Sequence, residues 1–401
     1  MGNEIKITFL GDLMCEEPML KCFQKETGGY DFRSLFEDVA PYLSESDLVM
    51  ANLETPISYN NSDLTREKYC FNSPFEFAKD AYEAGIRFFS TANNHCLDRG
   101  IAGIVSTIKS LDKIGAYHTG VFDNKLKEPC IIDVNGVRIG VLSYTYGTNA
   151  FANRNYLPKK EYWRVNLFQN QELSGRLARY CFDCPESNLS VLCKLIERFF
   201  HPINLQRPVY ERKEASGRCK RELRKNIRRL RKENPDVIVM FMHAGGQFNS
   251  EATKDTKELA SYLMKQGIGI VAGTHEHVVH GGDFSRYADG KAVAYSLGDF
   301  DYFPDSEQDE KDMPGYSVAW NVYLDKKGTE TVIKRMTYSI LKTIYLNDNP
   351  MGIKVVPAKA LYDLLTDEKE KTALWNDMQK IAIRFSGKEI ESYGVCGEYD
   401  L

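Results

Sequence analysis

The chain has 401 residues, of which 43% are hydrophobic and 27% charged, a composition that is ordinary for a soluble globular protein of one large or two smaller domains. Its formal net charge of −4 gives no basis for a nucleic-acid partner. No run approaches the ~20 apolar residues of a membrane-spanning helix, and no signal-peptide pattern precedes the first apolar run.

Residues 5 to 145 are predicted to alternate between strands and helices. The apolar runs ITFL, DLVMANLE and FFSTANN are short, β-rich and bounded by polar residues, which is typical of buried strands. Helices are predicted over residues 75 to 85 and 101 to 114, because each periodic apolar run stops at a glycine. The run CIIDVNGVRIGVLSY predicts a hairpin with its turn at Asn135-Gly136.

The alternation stops at about residues 149–215, which read as an insertion between two core strands and as a candidate lid or binding element. Residues 218 to 233 are strongly basic, and Leu223, Ile227 and Leu230 form the apolar stripe of an amphipathic helix. Its basic residues are either the solvated face of a core helix or a patch for an anionic polymer or membrane surface. The strand VIVMFMH follows.

The last third predicts a helix at 251 to 266 and the strands GIGIVAG, AVAYSLG and SVAWNVYLD. YSILKTIYLN is expected to pair at a sheet edge, and residues 357 to 385 are predicted to be helical. We divide the chain into a core at 1–330, which contains the insertion, and a strand and helical extension at 331–401 that packs on the core.

Polar motifs follow the apolar runs, and they contain many residues of the kinds that bind metals. Because ligands collect at the carboxyl ends of strands in an α/β sheet, one sheet edge is expected to gather residues from distant parts of the chain. These residues are Asp12, Glu54, Asn94, His243, His275 and His277. Imidazole and carboxylate groups together suit Zn, Fe or Mn. We expect His275 and His277 to lie in an extended segment, where residues i and i+2 point the same way.

The order of these motifs resembles that of the capsule-synthesis CapA family, also called the poly-gamma-glutamate synthesis protein family, a branch of the calcineurin-like metallophosphoesterases. The resemblance covers roughly residues 5 to 305. Its motifs are Gly11-Asp12-Leu13-Met14, Asn52-Leu53-Glu54, Ala92-Asn93-Asn94-His95 with Asp98 and Gly100, His243-Ala244-Gly245, Gly273-Thr274-His275-Glu276-His277 and Tyr295-Ser296-Leu297-Gly298-Asp299-Phe300. The resemblance implies a four-layer α/β/β/α sandwich of two packed mixed sheets, with one or two divalent ions of Mn, Zn or Fe.

The resemblance also implies a division of roles among the site residues. His95 would act as a general acid or stabilise developing charge, with Asp98 fixing its tautomer. Asn52, Asn93 and Asp299 would line the pocket as substrate-binding residues. The remaining residues would be metal ligands, namely Asp12, Glu54, Asn94, His243, His275 and His277.

The sequence departs from the family pattern in several places. Met14 stands where calcineurin-like enzymes have a histidine ligand, which removes one ligand from a standard two-metal site. Ala244 and Gln247 replace a common Trp and Glu, and Glu276 replaces a common Pro. Asp299 replaces a common Asn. The substrate chemistry is therefore expected to differ from that of the relatives.

Two functions fit this sequence. The first is a metal-dependent hydrolase in poly-gamma-glutamate or capsule biosynthesis, acting on a small phosphoester or a gamma-glutamyl amide. The second is a non-catalytic, metal-binding accessory protein that binds or guides an anionic polymer during capsule assembly or export. Either role is compatible with partners in a membrane-associated capsule machinery.

The ten cysteines are scattered along the chain, which favours free thiols in a reducing compartment over a disulfide framework. Cys181 and Cys184 have the spacing of half a zinc knuckle, but without a second half they are expected to be structural. As given, the chain is expected in the cytoplasm. It would be membrane-associated or extracytoplasmic if an N-terminal anchor had been removed.

Overall fold

The structure is a computed structural model that describes residues 3–66, 70–150, 153, 155–169, 217–249, 251–285, 289–303, 312–346, 352–390 and 395–401. Its strands are β1 Asn3–Leu13, β2 Leu48–Leu53, β3 Ile57–Ser58, β4 Ser73–Pro74, β5 Ile86–Ser90, β6 Tyr117–Thr119, β7 Cys130–Val134, β8 Val137–Thr145, β9 Val237–His243, β10 Ile270–Thr274, β11 Val279–Asp283, β12 Ala292–Leu297, β13 Tyr316–Lys327, β14 Glu330–Leu346, β15 Gly352–Pro357 and β16 Tyr399–Asp400. Its α-helices are α1 Glu17–Cys22, α2 Arg33–Phe36, α3 Ala40–Leu43, α4 Phe75–Glu83, α5 Gly100–Ile114, α6 Gly217–Lys232, α7 Lys254–Lys265, α8 Ala358–Leu364 and α9 Glu368–Ser386. A 3₁₀ helix spans Lys159–Arg164.

Two mixed sheets form the centre of the molecule. The first has the order β15-β14-β13-β1-β2-β5-β6, with β16 paired to β14. Its strands β1, β2, β5 and β6 are parallel, and β13 runs antiparallel to β1. The second has the order β11-β12-β10-β9-β8-β7, in which β8, β9, β10 and β12 are parallel. Parallel strands end at the same edge, so each sheet presents several carboxyl ends together.

The two sheets pack face to face through a continuous apolar layer. Because successive strand residues point to opposite faces, alternate residues of the same strand enter this layer. Phe9 and Phe88 of the first sheet enter it, and each contacts Phe241 of the second sheet, at ring-centroid distances of 6.0 and 5.5 Å. All three rings are fully buried, so they contribute strongly to holding the sheets together.

Helices cover the outer faces and complete the four layers. On the first sheet, Phe89 points outward into a cluster that includes Phe77 of α4 and Leu111 of α5. On the second sheet, α6 and α7 bury their apolar faces against Met240 and Met242 of β9. The four-layer α/β/β/α arrangement of two mixed sheets is therefore confirmed.

The basic segment forms α6, close to its predicted bounds. Its apolar stripe at Leu223, Ile227 and Leu230 is buried against the second sheet. Its basic residues lie on the opposite face, where Arg224 and Arg228 are exposed.

The predicted hairpin is confirmed as β7 and β8, with positive φ angles of 51° at Asn135 and 84° at Gly136 in the turn.

The C-terminal part corrects two predictions. Residues 338–346 of YSILKTIYLN lie in β14, which is not an edge strand, because β13 pairs on one side and β15 and β16 on the other. The helix predicted at 357 to 385 is two helices, α8 and α9. The chain is extended at Leu365, and the Asp367 side chain then caps a new helix by accepting hydrogen bonds from the backbone N–H groups of Lys369 and Glu370.

The predicted insertion at about 149–215 lies largely outside the described residues, as do Cys181 and Cys184. The division into a core at 1–330 and an extension at 331–401 stays a prediction. Cys15, Cys22, Cys96 and Cys130 are not in disulfide bonds. No helix in that part is both long enough and apolar enough to cross a membrane.

Candidate metal centre

The candidate site lies where strands of both sheets end. At this point the chain after β12 joins the end of β1: the Asp12 N–H donates to Gly298 O at 3.1 Å, and the Phe300 N–H donates to Asp12 O at 2.8 Å. A Cβ atom on Gly11 would lie 1.7 Å from Gly298 O, so only glycine permits this approach. The contact brings the Asp12 side chain of the first sheet among residues of the second.

The first sheet contributes two fully buried carboxylates, Asp12 and Glu54. The Asn52 side-chain amide links this group, because its Nδ2 donates to Asp12 Oδ1 at 2.7 Å and lies 3.3 Å from His243 Nδ1. Glu54 Oε1 has no hydrogen-bond partner in the described part of the chain. A buried carboxylate oxygen of this kind is costly unless a cation or donor compensates it.

His243 ends β9 and contacts residues from three other segments. Its Nε2 lies 2.6 Å from Asn94 Oδ1 and 3.5 Å from Glu54 Oε1, and its Nδ1 lies 2.9 Å from Thr274 Oγ1. Asn94 follows β5 in the first sheet. The ring is fully buried, so it has no access to bulk water that could replace these partners.

His275 and His277 are brought together, but not by an extended segment. Their φ angles are 94° and 61°, in the left-handed region, so the expectation of an extended segment is wrong. The turn exists because the His275 N–H points back to the first sheet and donates to Asp12 Oδ2 at 2.9 Å. The two ring centroids are 5.9 Å apart. Non-glycine residues in this region are strained, and such strain clusters at functional sites.

His277 contacts both a carboxylate and an amide. Its Nδ1 lies 2.8 Å from Asp299 Oδ1, and its Nε2 lies 3.1 Å from Gln247 Nε2 and 4.0 Å from Glu54 Oε1. The ring of Phe248 stacks on His277 with a centroid distance of 5.4 Å. Asp299 was predicted to bind substrate. In the structure its Oδ1 is hydrogen-bonded to His277, which is a predicted metal ligand.

Glu276 organises the loop after β9. Its Oε2 accepts a hydrogen bond from the Gly246 N–H at 2.7 Å, and its side chain fills the space beside Gly245, where a Cβ would lie 1.8 Å from Glu276 Oε1. This loop carries Gln247 to His277. The glutamate that replaces a common proline therefore has a packing role in this chain.

His95 and Asp98 form a second buried pair, with His95 Nδ1 2.7 Å from Asp98 Oδ2. The Phe71 ring stacks on His95 at 4.1 Å, and the Phe71 N–H donates to Asp98 Oδ2 at 2.7 Å. Asn153 Nδ2 donates to Asp98 Oδ1 at 2.9 Å. Both oxygens of Asp98 are thus engaged, which fixes the carboxylate and orients the imidazole.

Asn93, predicted to bind substrate, is fully buried and donates from Nδ2 to Leu53 O at 2.6 Å. Asn52 is buried to the same extent. The amides of both residues therefore hold the ends of neighbouring strands in the first sheet.

Several residues that touch the site were not predicted as site residues: Phe71, Tyr146, Asn149, Gln247 as a contact of His277, Phe248 and Thr274. Most lie on loops, where apolar periodicity gives no signal. Thr274 could have been found, because it ends β10 directly before His275.

The electrostatics of the cluster reflect charge concentrated in a buried space. Burial, and then the neighbouring Glu54, raise the pKa of Asp12 well above its usual value. Burial opposes the charge of Glu54 as well, but His243 and His277 outweigh it and hold the pKa of Glu54 below its usual value. Burial and then His243 lower the pKa of His275 well below its usual value.

His277 differs from its neighbours. Burial disfavours its charged form, but Asp299 and then Glu54 raise its pKa to about 10. The carboxylates of Asp299 and Glu54 thus favour the charged form of this ring more than burial disfavours it.

The donor set fits a divalent cation. Three groups have ligand atoms within 4.8 Å of one another: Glu54, His275 and His277; Asp12, His277 and Asp299; and Asp12, Glu54 and His243. Three buried atoms of these residues have no hydrogen-bond partner in the described part of the chain, namely Glu54 Oε1, His275 Nδ1 and Asp299 Oδ2. Unpaired buried polar atoms are rare, and here they belong to residue types that bind metals.

Comparisons with known proteins find two similar proteins named for capsule or PGA biosynthesis and one similar solved structure. A capsule biosynthesis protein CapA of Bacillus anthracis is 25% identical over 97% of this chain and 80% of its own length. A PGA biosynthesis protein CapA of Bacillus subtilis is 23% identical, and the match spans 74% of this chain but only 63% of that relative. Among solved structures, a calcineurin-like phosphoesterase of Bacillus subtilis is similar with a TM-score of 0.41 and 10% identity, covering 95% of this chain and 98% of that chain.

The family model described as bacterial capsule synthesis protein PGA_cap matches residues 6–302, a range that holds every residue of the candidate site. The chain belongs to this bacterial capsule synthesis protein family.

Proposed function

We propose that this chain is a metal-dependent hydrolase that acts in capsule or poly-gamma-glutamate biosynthesis on a phosphoester or a gamma-glutamyl amide. One observation carries the proposal. A buried ligand cluster with unpaired donor atoms lies beside a separate His–Asp pair, whose histidine keeps Nε2 directed away from its aspartate. A site that only held a metal for structural reasons would not need the second pair.

The cluster would hold one or two divalent ions of Mn, Zn or Fe. Asp12 and Glu54 supply oxygen atoms, and His243, His275 and His277 supply nitrogen atoms, a mixture that suits these metals. Asn94 Oδ1 is close enough to His243 to join the set. When bound, such an ion acts as a Lewis acid on a phosphoryl or carbonyl oxygen and makes water a better nucleophile near neutral pH.

His95 would transfer the proton that the leaving group needs. Asp98 holds Nδ1, so Nε2 is the ring nitrogen that remains for a substrate. Phe71 covers one face of the ring and limits its motion. In a phosphoester the leaving atom is oxygen and in a gamma-glutamyl amide it is nitrogen, and either can receive the Nε2 proton of the protonated His95 ring, which then becomes neutral.

The first test is metal dependence. The purified full-length protein should lose its hydrolytic activity in excess chelator and recover it on addition of Mn, Zn or Fe, assayed on a phosphoester panel and a gamma-glutamyl peptide. The panel also decides between the two substrate classes. Activity that is unaffected by a chelator which has removed all metal would refute the proposal.

The second candidate is a non-catalytic accessory protein that binds an anionic polymer. The observation in its favour is the outer face of α6, where Arg224 and Arg228 are exposed on a helix whose opposite face is buried. Arg231 is less suitable as a probe, because its guanidinium donates to Gln266 O and fixes the turn after α7.

This candidate predicts binding of poly-gamma-glutamate that weakens as salt rises. The double variant Arg224→Glu/Arg228→Glu should lose this binding. Lys109→Glu/Lys369→Glu makes the same charge change at two exposed positions on α5 and α9 and serves as the control. Equal loss in both variants would indicate an effect of net charge alone and would argue against α6 as a binding surface.

A further inference from the structure

The loop that follows β8 contacts two separate parts of the site. Tyr146 packs its ring 4.4 Å from that of His275, a candidate metal ligand. Three residues later, Asn149 Nδ2 lies 3.4 Å from His95 Nε2. The loop therefore runs along one side of the pocket, from the ligand cluster to the His–Asp pair.

The backbone of this loop is held in an unusual conformation at Asn149. Its φ is 47°, in the left-handed region, and its carbonyl accepts a hydrogen bond from the Asn153 N–H at 3.0 Å. Asparagine tolerates this region better than most residues, so the position can keep a polar side chain where a bulkier residue would be strained. Asn149 is half-buried, which leaves part of its side chain open to a ligand.

The environment of His95 leaves Nε2 as its one open polar atom. Nδ1 is occupied by Asp98, and the Phe71 ring covers one face. The distance of 3.4 Å between Nε2 and the Asn149 amide is at the outer limit of a hydrogen bond, so the two groups satisfy each other poorly. Their separation allows one oxygen atom to lie within ~3 Å of both.

We propose that Asn149 is a substrate-binding residue, whose side-chain amide and His95 Nε2 together hold one oxygen of the substrate. The inference rests on the proposed function and deepens it by naming the group that orients the reacting end of the substrate. The ligand is a phosphoryl oxygen or a carbonyl or carboxylate oxygen of a gamma-glutamyl group.

The test is oxyanion binding to the metal-loaded full-length protein, measured by calorimetry with inorganic phosphate and, separately, with L-glutamate. Asn149→Gly removes the amide but accepts the left-handed backbone. It should raise the Kd of at least one probe by about 10- to 100-fold, the usual effect of losing a hydrogen bond to a charged group. Metal content should not change, because Asn149 is not among the ligands.

Asn234→Gly is the matched control. Asn234 also has a positive φ, of 51°, but it is exposed and lies in the turn between α6 and β9, far from the site in the fold. Its replacement should leave both Kd values unchanged. Asn149→Asp keeps the size and adds a negative charge, so it should weaken binding at least as much, and it provides the test if the glycine variant does not fold.

Wild-type Kd values in both Asn149 variants would overturn the inference, and so would a metal-loaded wild type that binds neither probe. If the wild type hydrolyses none of the test substrates but binds a probe, and the Asn149 variants bind that probe more weakly, the inference stands and the proposed function is refuted. An active wild type whose kcat/KM and whose affinities for both probes survive Asn149→Gly would overturn the inference and leave the proposed function standing.

Discussion

The two sheets contribute different chemistry to the candidate site. The first provides candidate oxygen ligands, from Asp12 at the end of β1, Glu54 after β2 and Asn94 after β5. The second provides mainly imidazole nitrogens, at the end of β9 and in the turn after β10. Each of the three ligand groups combines residues from both sheets. Each candidate ligand group therefore needs both halves of the molecule.

This difference means that metal binding and the packing of the sheets should depend on each other. The apolar layer between the sheets, with Phe9, Phe88 and Phe241, lies behind the site and sets the distance between its two halves. A cation that bridges the halves binds the folded chain and not the unfolded one, so its binding free energy adds to stability.

The largest expected effect is the loss of metal when either half loses a ligand. Asp12→Ala removes a ligand of the first sheet and His275→Ala one of the second, and we expect both to lower metal content by at least one ion per chain, with activity falling below detection. Elemental analysis of the purified proteins measures this.

His118→Ala is the control for the loss of metal, because His118 pairs with Asp112 at 3.0 Å and is not in any ligand group. Full metal content in His275→Ala but not in Asp12→Ala would show that the first sheet binds the ion alone. The idea of a bridging site would then be wrong.

A smaller but still large effect is expected at His95. His95→Ala should keep its metal and lower turnover by roughly 10²–10⁴-fold, the usual contribution of a general acid. The measurement is metal content and rate on the same sample. Metal loss as complete as in His275→Ala would place His95 among the ligands, and an unchanged rate would show that His95 does not carry the reaction.

A third prediction concerns stability. At a free metal concentration 100 times the Kd, the ion should add about 2.7 kcal/mol to the free energy of unfolding, and chelation should remove it. Denaturant titrations with and without metal measure the difference. In Glu54→Gln, which has nearly the same shape but lacks the buried charge, the difference should shrink towards zero. A wild type equally stable with and without saturating metal would contradict the coupling.

Much of the fold and of the ligand positions could be predicted, because both depend on where apolar runs stop. Asp12, Glu54 and His243 end or directly follow buried strands, and in parallel sheets that places them at one edge. The sequence pattern could not give the conformation at His275 and His277, because their left-handed turn depends on a hydrogen bond to Asp12, which is distant in the chain.

The strands and site residues that could not be predicted from the sequence have a common physical cause. Strand β11 has the sequence VHGGD and lacks an apolar alternation, and β15 is recognisable mainly through its pairing with β14. Asn149 and Tyr146 contact the site through a loop, whose path is set by tertiary contacts and not by local propensity. Local patterns therefore located the ligands but not the surrounding wall of the pocket.

The smallest predicted effect distinguishes support from ligation at Asp299. If Asp299 acts only through Oδ1, which faces His277 Nδ1 at 2.8 Å, then Asp299→Asn keeps an oxygen acceptor at the same place. Metal affinity should then fall by about tenfold. This is the lower end of the loss in affinity that follows when a residue supporting a metal ligand is replaced. Asp299→Ala removes the acceptor and should cost more, towards ~100-fold. Competition of each variant with a metal indicator gives these affinities. Asp299 Oδ2 has no hydrogen-bond partner in the described residues, and Asp299 belongs to a ligand group with Asp12 and His277. If Asp299→Asn instead loses a whole ion as Asp12→Ala does, Oδ2 is itself a ligand, and the second sheet contributes oxygen as well as nitrogen to the metal.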